Sequence, residues 1–275
     1  MEKLLKYFLK LFILVVLFSC KEDYSNLNSE ERRTIAKKIF KEGEHLPQGS
    51  AKSMTRIEKA IAIDSTFAEA IRELSVAYLK RGMPHKWKPI YDNAVKQDPK
   101  TWQPWRGYLY LWFYRDYKKA IADFDASDTL TDYIDHPQGH SVDFWRGIAY
   151  LGLKDYENSI KYWDKHITRE TNETGEDWVE LEAFLYRGIS YYESGNSEKA
   201  LENFDKIITY FKHSADAKYY KAILAKKAGK IDEATQLIEN AIIDFNSGYY
   251  NNRPYVETVR QIYIEDLKGF KESLL

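Results

Sequence analysis

An all-α array of stacked helical hairpins is the fold this sequence predicts, on three observations. One short phrase returns three times, as Trp105-Arg106-Gly107-Tyr108-Leu109-Tyr110, Trp145-Arg146-Gly147-Ile148-Ala149-Tyr150 and Tyr186-Arg187-Gly188-Ile189-Ser190-Tyr191, with a fainter copy at Tyr220-Lys221-Ala222-Ile223-Leu224-Ala225. After each copy comes a break, then a second apolar-periodic run opened by Asp116-Tyr117-Lys118-Lys119-Ala120-Ile121, Asp155-Tyr156-Glu157-Asn158-Ser159-Ile160, Asn196-Ser197-Glu198-Lys199-Ala200-Leu201 or Ile231-Asp232-Glu233-Ala234. The small residue of each second run, Ala120, Ser159, Ala200 and Ala234, recurs at intervals of 39, 41 and 34 residues, a period of 34 with insertions in the longer two. Self-similarity at this period marks units that bury their apolar stripes only against their neighbours.

In chain order, residues 1–19 stand apart from that body. Lys3, Lys6 and Lys10 precede the uncharged run Leu11 to Phe18. That run is too short to cross a hydrocarbon core of about 30 Å, so it reads as a secretion signal. It ends in Leu17-Phe18-Ser19-Cys20, which resembles the lipobox of bacterial lipoproteins. The resemblance implies that Cys20 is diacylated and becomes the new N-terminus. Cys20 is also the only cysteine, and a thioether-linked lipid accounts for a lone thiol in an exported chain. The alternative is an ordinary cleaved signal with an incidental cysteine. Two acyl chains, at about 0.8 kcal/mol per buried CH₂, give stable anchoring. Lys21-Glu22-Asp23 lacks an Asp directly after the cysteine, and it is similar to the acidic tag of surface-directed Gram-negative lipoproteins. Residues 20–28 are thus the expected lipidated tether, with Ser29 as N-cap of the first helix.

Charge narrows the function classes. Lys and Arg total 41 against 42 Asp and Glu, and removal of residues 1–19 leaves a mature net charge of −3. No field of one sign attracts nucleic acid, so no nucleic-acid partner is expected. The aromatic load of 7 Trp, 22 Tyr and 13 Phe exceeds that of an ordinary soluble body and must be shared between core and surface.

Residues 29–248 divide into six units near 34–67, 68–100, 101–134, 140–173, 181–214 and 215–248. Gly107, Gly147 and Gly188 fall mid-helix, where glycine costs roughly 0.5–1 kcal/mol relative to Ala. A repeated cost suggests a repeated reason, a partner helix crossing too close for a side chain. Tyr110, Tyr150 and Tyr191 lie on the same helical face and are expected to fill the interhelix core. Phe124, Trp163 and Phe204 are expected to pack one turn after the small residues Ala120, Ser159 and Ala200. Trp87 stands where a small residue belongs, and Pro89 suggests that the second helix of that unit starts late. One extra residue separates the helices of the third unit near Trp112-Phe113-Tyr114-Arg115. Past Gly248 the period breaks, and Tyr255 to Leu267 reads as a final helix within a cap of residues 249–275.

From Phe184 to Ile208 the residues Tyr186, Arg187, Gly188, Tyr191, Gly195, Ala200 and Phe204 follow the small–aromatic–Gly–Ala–aromatic pattern of a tetratricopeptide repeat. Leu74, Ser75, Tyr78, Gly82, Tyr91, Ala94 and Pro99 fall at repeat positions too. The chain therefore resembles the tetratricopeptide repeat lipoproteins of Gram-negative envelopes. The resemblance implies a right-handed superhelical solenoid of about six helix-turn-helix repeats with a C-terminal capping helix. It also implies a ligand groove along the first helix of each repeat. Candidate groove residues are Tyr108, Trp112, Phe144, Tyr192, Tyr219 and Lys226. Repeats that clamp a peptide carboxylate use Asn and Lys there, whereas Val76, Tyr108, Ile148, Ile189 and Ile223 occupy the Asn positions here.

Catalytic chemistry finds no motif. There is no Gly-x-Ser-x-Gly elbow, Walker lysine loop or HExxH pair, and Cys20 is spent on lipid. Asp132, Asp135, His136 and His140 have metal-ligating side chains, but their spacing fits no zinc or calcium pattern and reads as a solvated loop. Arg106, Arg146 and Arg187 could form an anion-binding ladder, or each could pair with an acid such as Asp123; the second reading is preferred. The expected function is a non-enzymatic scaffold without cofactor or metal, lipid-anchored at Cys20 in the outer membrane, facing the periplasm or the surface. Its expected partner is an envelope protein or peptide. The alternative is a glycan- or nutrient-binding lipoprotein serving an outer-membrane importer.

Overall fold

A computed structural model describes residues 24–275; the signal segment 1–19 and Cys20 lie outside the described residues. Among the described residues there are α-helices and two short 3₁₀ turns, with no strand. The helices are α1 (Ser29–Glu44), α2 (Ala51–Ile63), α3 (Ala68–Lys80), α4 (Pro84–Gln97), α5 (Pro99–Phe113), α6 (Tyr117–Leu130), α7 (Val142–Gly152), α8 (Tyr156–Thr174), α9 (Leu181–Glu193), α10 (Ser197–Tyr210), α11 (Ala215–Lys227), α12 (Ile231–Asn246) and α13 (Ile264–Glu272). They cluster into two compact units that divide within α3, between Tyr78 and Leu79.

In the first unit α1 packs on α2. Its cap is Asn28 rather than Ser29: the Asn28 side chain accepts from the Glu31 N–H, and the Glu31 carboxylate accepts from the Asn28 N–H. The side chain three residues on decides between two cap-competent neighbours, because Glu31 completes a reciprocal box only with Asn28. Ala36, Ile39, Phe40, Ile57, Ala60 and Ile63 form the core, and Phe40 meets Phe67 edge-on at 5.3 Å. Gly43 lets α2 approach, since a Cβ there would lie 2.9 Å from that of Arg56. Ser53 fastens the crossing by donating to the Gly43 carbonyl at 2.9 Å.

The second unit repeats that logic with larger partners. A Cβ on Gly107, Gly147 or Gly188 would come within 2.6, 2.5 and 2.6 Å of the rings of Phe124, Trp163 and Phe204. All three rings are fully buried, as are Ala120, Ser159 and Ala200. The fourth copy shows the complement: Ala222 carries the methyl group that glycine lacks, and its hairpin supplies Ile238 in place of a ring. Tyr110 is buried as expected, but Tyr150 and Tyr191 are only half-buried. Tyr150 instead stacks on Tyr162 at 5.5 Å, and Tyr191 lies beneath the Lys199 ammonium.

Hairpin closure is equally regular. The Asp155, Asn196 and Lys230 amides donate to the carbonyls of Tyr150, Tyr191 and Ala225. In the third hairpin Asp116 donates to Tyr110 across one more residue, the insertion read from the sequence. Each of these turns passes through positive φ, at Lys154 and Arg115 as well as at Gly195 and Gly229.

Charges then join successive hairpins. Arg106 bonds Asp92, Arg146 bonds Asp125, Arg187 bonds Asp164 and Lys221 bonds Asp205. In every case a cation on a first helix reaches the acid that follows the core aromatic of the preceding hairpin. Arg106 also holds Asp123 through two nitrogens, at 2.8 and 2.6 Å, and these bonds push its pKa up. These arginines are pairing groups, not a ladder open to anions.

Two helix starts differ from the sequence reading. α4 begins at Pro84, which needs no N–H at a first helical position, so Pro89 falls inside the helix. The last helix runs from Ile264 to Glu272 rather than from Tyr255, because Pro254 and the positive φ of Tyr255 and Arg260 keep the preceding segment irregular. Leu267 of α13 is buried with Ala215, Ala222, Ile238 and Ala241, so the helix covers the end of the final hairpin.

Candidate ligand-binding face

The first helices α5, α7, α9 and α11 carry the residues that the sequence assigned to a groove, and the chain's own C-terminal segment lies against them. Trp112 is 1% exposed and Phe144 is fully buried, so neither lines an open surface. Phe144 sits edge-on to Trp145 and Trp163, at 4.9 and 5.0 Å. Tyr192 is half-buried against Tyr220, 5.4 Å away. Tyr219 meets Phe270 of α13 at 5.9 Å, and Lys226 donates to the Ser273 carbonyl and hydroxyl at 2.9 and 2.8 Å. Tyr108 is half-buried with its ring 5.1 Å from Trp145. The structure thus brings Tyr108 and Trp112 together around Trp145, while Tyr219 and Lys226 serve as docking points for α13.

Residues 249–263 follow the first helices by side-chain anchors. The Asn251 amide donates to Asp216 at 2.7 Å, and its side chain donates to the Tyr186 hydroxyl at 3.0 Å. Arg260 clasps the Glu193 carboxylate at 2.5 and 2.8 Å and reaches the Leu151 carbonyl at 3.3 Å. Arg115 donates to the Glu257 carbonyl, and the Lys80 ammonium lies 4.7 Å from the Tyr255 ring.

Between these anchors Arg253 enters an aromatic cage. Its guanidinium carbon is 4.5 Å from the Trp112 ring centre and 5.0 Å from that of Trp145. One terminal nitrogen is 3.5 Å from the Glu182 carboxylate. Cation–π contacts of this kind contribute about 0.5–2 kcal/mol each, more as water is excluded. Trp145 is fixed from both sides: its indole N–H donates to the Pro137 carbonyl at 2.9 Å, and His140 stands edge-on at 5.1 Å. Burial raises the Glu182 pKa, with Arg253 opposing the rise, and burial likewise raises that of the Tyr108 phenol. Beside Glu182 opens a cavity of about 240 Å³ whose lining includes Leu185, Phe211, His213 and Tyr249.

The loop that holds Trp145 contains the four side chains weighed as metal ligands, and it engages three of them, Asp135, His136 and His140, in hydrogen bonds. Asp135 accepts from Thr131 at 2.9 Å, His136 contacts the Ile134 carbonyl, and Asp132 faces solvent. His140 and His166 both bond Glu180, at 3.1 Å each. Burial alone would raise the Glu180 pKa, but these two bonds outweigh it and hold the carboxyl well below its usual range. Ser141 Oγ lies 3.0 Å from His166, which gives a serine–histidine–carboxylate chain that the sequence reading missed. Its hydroxyl is buried and already accepts from the Phe144 amide as the cap of α7, so its position in the fold is that of a structural bond.

Trp145, Glu182 and Arg253 were also missed as site residues. Trp145 was read as a core letter of the repeated phrase, and Arg253 lies where periodicity ends. Only the broken period after Gly248 signalled that this segment does something other than stack.

Comparison with known proteins agrees with this geometry. Residues 185–249 match the tetratricopeptide repeat family. No curated protein matches the sequence. Among solved structures, PilW, a widely conserved type IV pilus biogenesis factor, is similar at 15% identity and a TM-score of 0.58, over 81% of this chain and 96% of PilW. YrrB, a TPR protein with an unusual peptide-binding site, is similar at 17% identity and a TM-score of 0.51, over 68% of this chain and 91% of YrrB. A tetratricopeptide repeat protein from Parabacteroides merdae is similar at 14% identity and 0.51, over 92% and 87%. With the hairpins described above, residues 185–249 match tetratricopeptide repeats, and the fold is a tetratricopeptide-type helical solenoid.

Proposed function

We propose that this protein is a lipid-anchored scaffold of a Gram-negative envelope that binds a protein or peptide partner and catalyses nothing. The observation that carries the reading is the recurring hairpin, a fold typical of protein interaction, on a chain whose start reads as a lipobox ending at Cys20. A solenoid offers extended surface made from many short elements, which suits a polypeptide ligand better than a small substrate. YrrB, a TPR protein with an unusual peptide-binding site, has a similar fold. The Ser141–His166–Glu180 chain does not weigh against this, since a buried cap hydroxyl has no route to a substrate.

The test has two readouts in intact cells. Metabolic labelling with an alkyne fatty acid should tag the wild-type chain and not Cys20→Ala, and Cys20→Ala should move from the membrane to the soluble fraction. Proximity labelling from the wild-type chain should return the same envelope protein in independent repeats. Label that survives Cys20→Ala overturns the anchor. A specific hit on a glycan array with no reproducible protein neighbour would transfer the reading to the nutrient-binding alternative.

A further inference from the structure

We propose that Trp112, Trp145, Tyr108 and Glu182 form a guanidinium-reading site, held in cis by Arg253, whose ligand is an arginine-bearing extended segment of the partner protein. The inference rests on the reading of this chain as a peptide-binding scaffold, and it adds the chemistry that the scaffold recognises.

Four observations lead there. Two indole faces lie 4.5 and 5.0 Å from one guanidinium carbon, with a carboxylate at 3.5 Å, the combination that selects a flat delocalised cation over a compact ammonium. The Trp145 wall of the cage is built in advance, because Pro137 and His140 hold that ring independently of Arg253.

Its present occupant fits incompletely. Glu182 Oε1 and Arg253 Nε are both buried without a hydrogen bond, and the oxygen meets the guanidinium only as an ion pair at 3.5 Å. A guanidinium entering on another backbone could form the paired N–H···O bonds that Arg253 does not reach. Finally, the residues that deliver Arg253 lie at the surface. Asn252, Pro254, Tyr255 and Glu257 are exposed, and Tyr255 takes a φ of 72° that an L-residue tolerates poorly. Asn251 and Arg260 anchor the segment on either side, and Lys80 and Arg115 meet Tyr255 and Glu257 after the cage, so withdrawal of Arg253 asks for a local change between Asn251 and Tyr255 while the rest of the segment stays docked.

Arg253 is therefore a tethered competitor, and the apparent affinity for a partner scales with the fraction of time the cage is empty. The full chain, wild-type and Arg253→Ala, is titrated by calorimetry with the peptide Asn-Asn-Arg-Pro-Tyr-Val and its Lys and Ala analogues. The Arg peptide should bind Arg253→Ala about tenfold tighter than wild type, the analogues should gain nothing, and adding Glu182→Gln should reverse the gain. Equal binding to both proteins, equal binding of the Ala peptide, or indifference to Glu182→Gln overturns the proposal. Should Arg253→Ala fail to fold, Arg253→Lys takes its place with the same expectations. A wild-type dimer that Arg253→Ala dissociates would give the cage to a second copy and likewise overturn it. Failure of any of these leaves the Cys20 labelling and the recovery of a partner untouched, so the two readings fall separately.

Discussion

A methyl group added at Gly188 should destabilise the fold, and the same methyl group at Gly269 should stabilise it. Both glycines lie inside helices, where replacing Gly by Ala gains about 1 kcal/mol of helix propensity. At Gly269 a new Cβ meets nothing within 4 Å, so Gly269→Ala should keep most of that gain. At Gly188 it meets Phe204 carbons at 2.6 and 3.0 Å and the Asn203 Cβ at 3.1 Å. Phe204 cannot retreat, because it is fully buried and stacked on Tyr220 at 5.4 Å and 15°. Overpacking of this kind costs about 1–3 kcal/mol and outweighs the propensity gain. With a shift of about 2–4 °C per kcal/mol at this size, Gly188→Ala should melt a few degrees below the parent and Gly269→Ala a few degrees above. The natural pair Ala222 and Ile238 supplies a control. In a double-mutant cycle, Gly188→Ala and Phe204→Ile should show favourable coupling of about 1 kcal/mol. Thermal and urea melts of the four variants decide the matter. A Gly188→Ala protein as stable as Gly269→Ala would refute the claim that glycine is there to admit a ring.

Burial raises the Asp216 pKa to about 7 from its ordinary 3.8, so the folded chain binds that proton more tightly than the unfolded chain. Stability must then fall as pH rises from about 4 to 7, by at most about 4 kcal/mol. Asp216→Asn keeps the acceptor for the Asn251 amide, so its Tm should exceed wild type above pH 7 and match it below pH 4; parallel profiles would contradict the assignment. Lys154 occupies the left-handed region at φ 60°, where its counterparts in the following hairpins are Gly195 and Gly229. Lys154→Gly should raise the Tm by relieving about 1 kcal/mol of local strain, and a lowered Tm would show that the turn carries none.

The hairpins were legible because their cause is local and repeated. Glycine before an aromatic crossing, a small residue opening the second helix and a residue that can turn left-handed all leave marks at fixed spacing. The ligand face was not legible, since an apolar residue on a first helix looks the same whether it faces water or a covering segment. Trp112 and Phe144 were misjudged for that reason: the cover over Trp112 is Arg253, far along the chain, and no periodicity connects them. Asn28 was missed on a smaller scale, where two neighbouring residues both suit a helix start and the bond to Glu31 decides, and Pro84 was missed because Pro89, five residues on, also suits a first turn.

The charge pairs between hairpins bear on how such a chain can lengthen. Each hairpin from α5 onward carries a cation facing backward and a carboxylate facing forward, so a tandem duplication arrives with both of its junctions already complementary. The last carboxylate, Glu239, is met by Lys271 of α13, which presents to the final hairpin what another copy would present. A new unit inserted ahead of that helix would meet matching charges at both junctions, and the one segment it must re-span is residues 249–263, which is tied to Tyr186, Glu193 and Asp216.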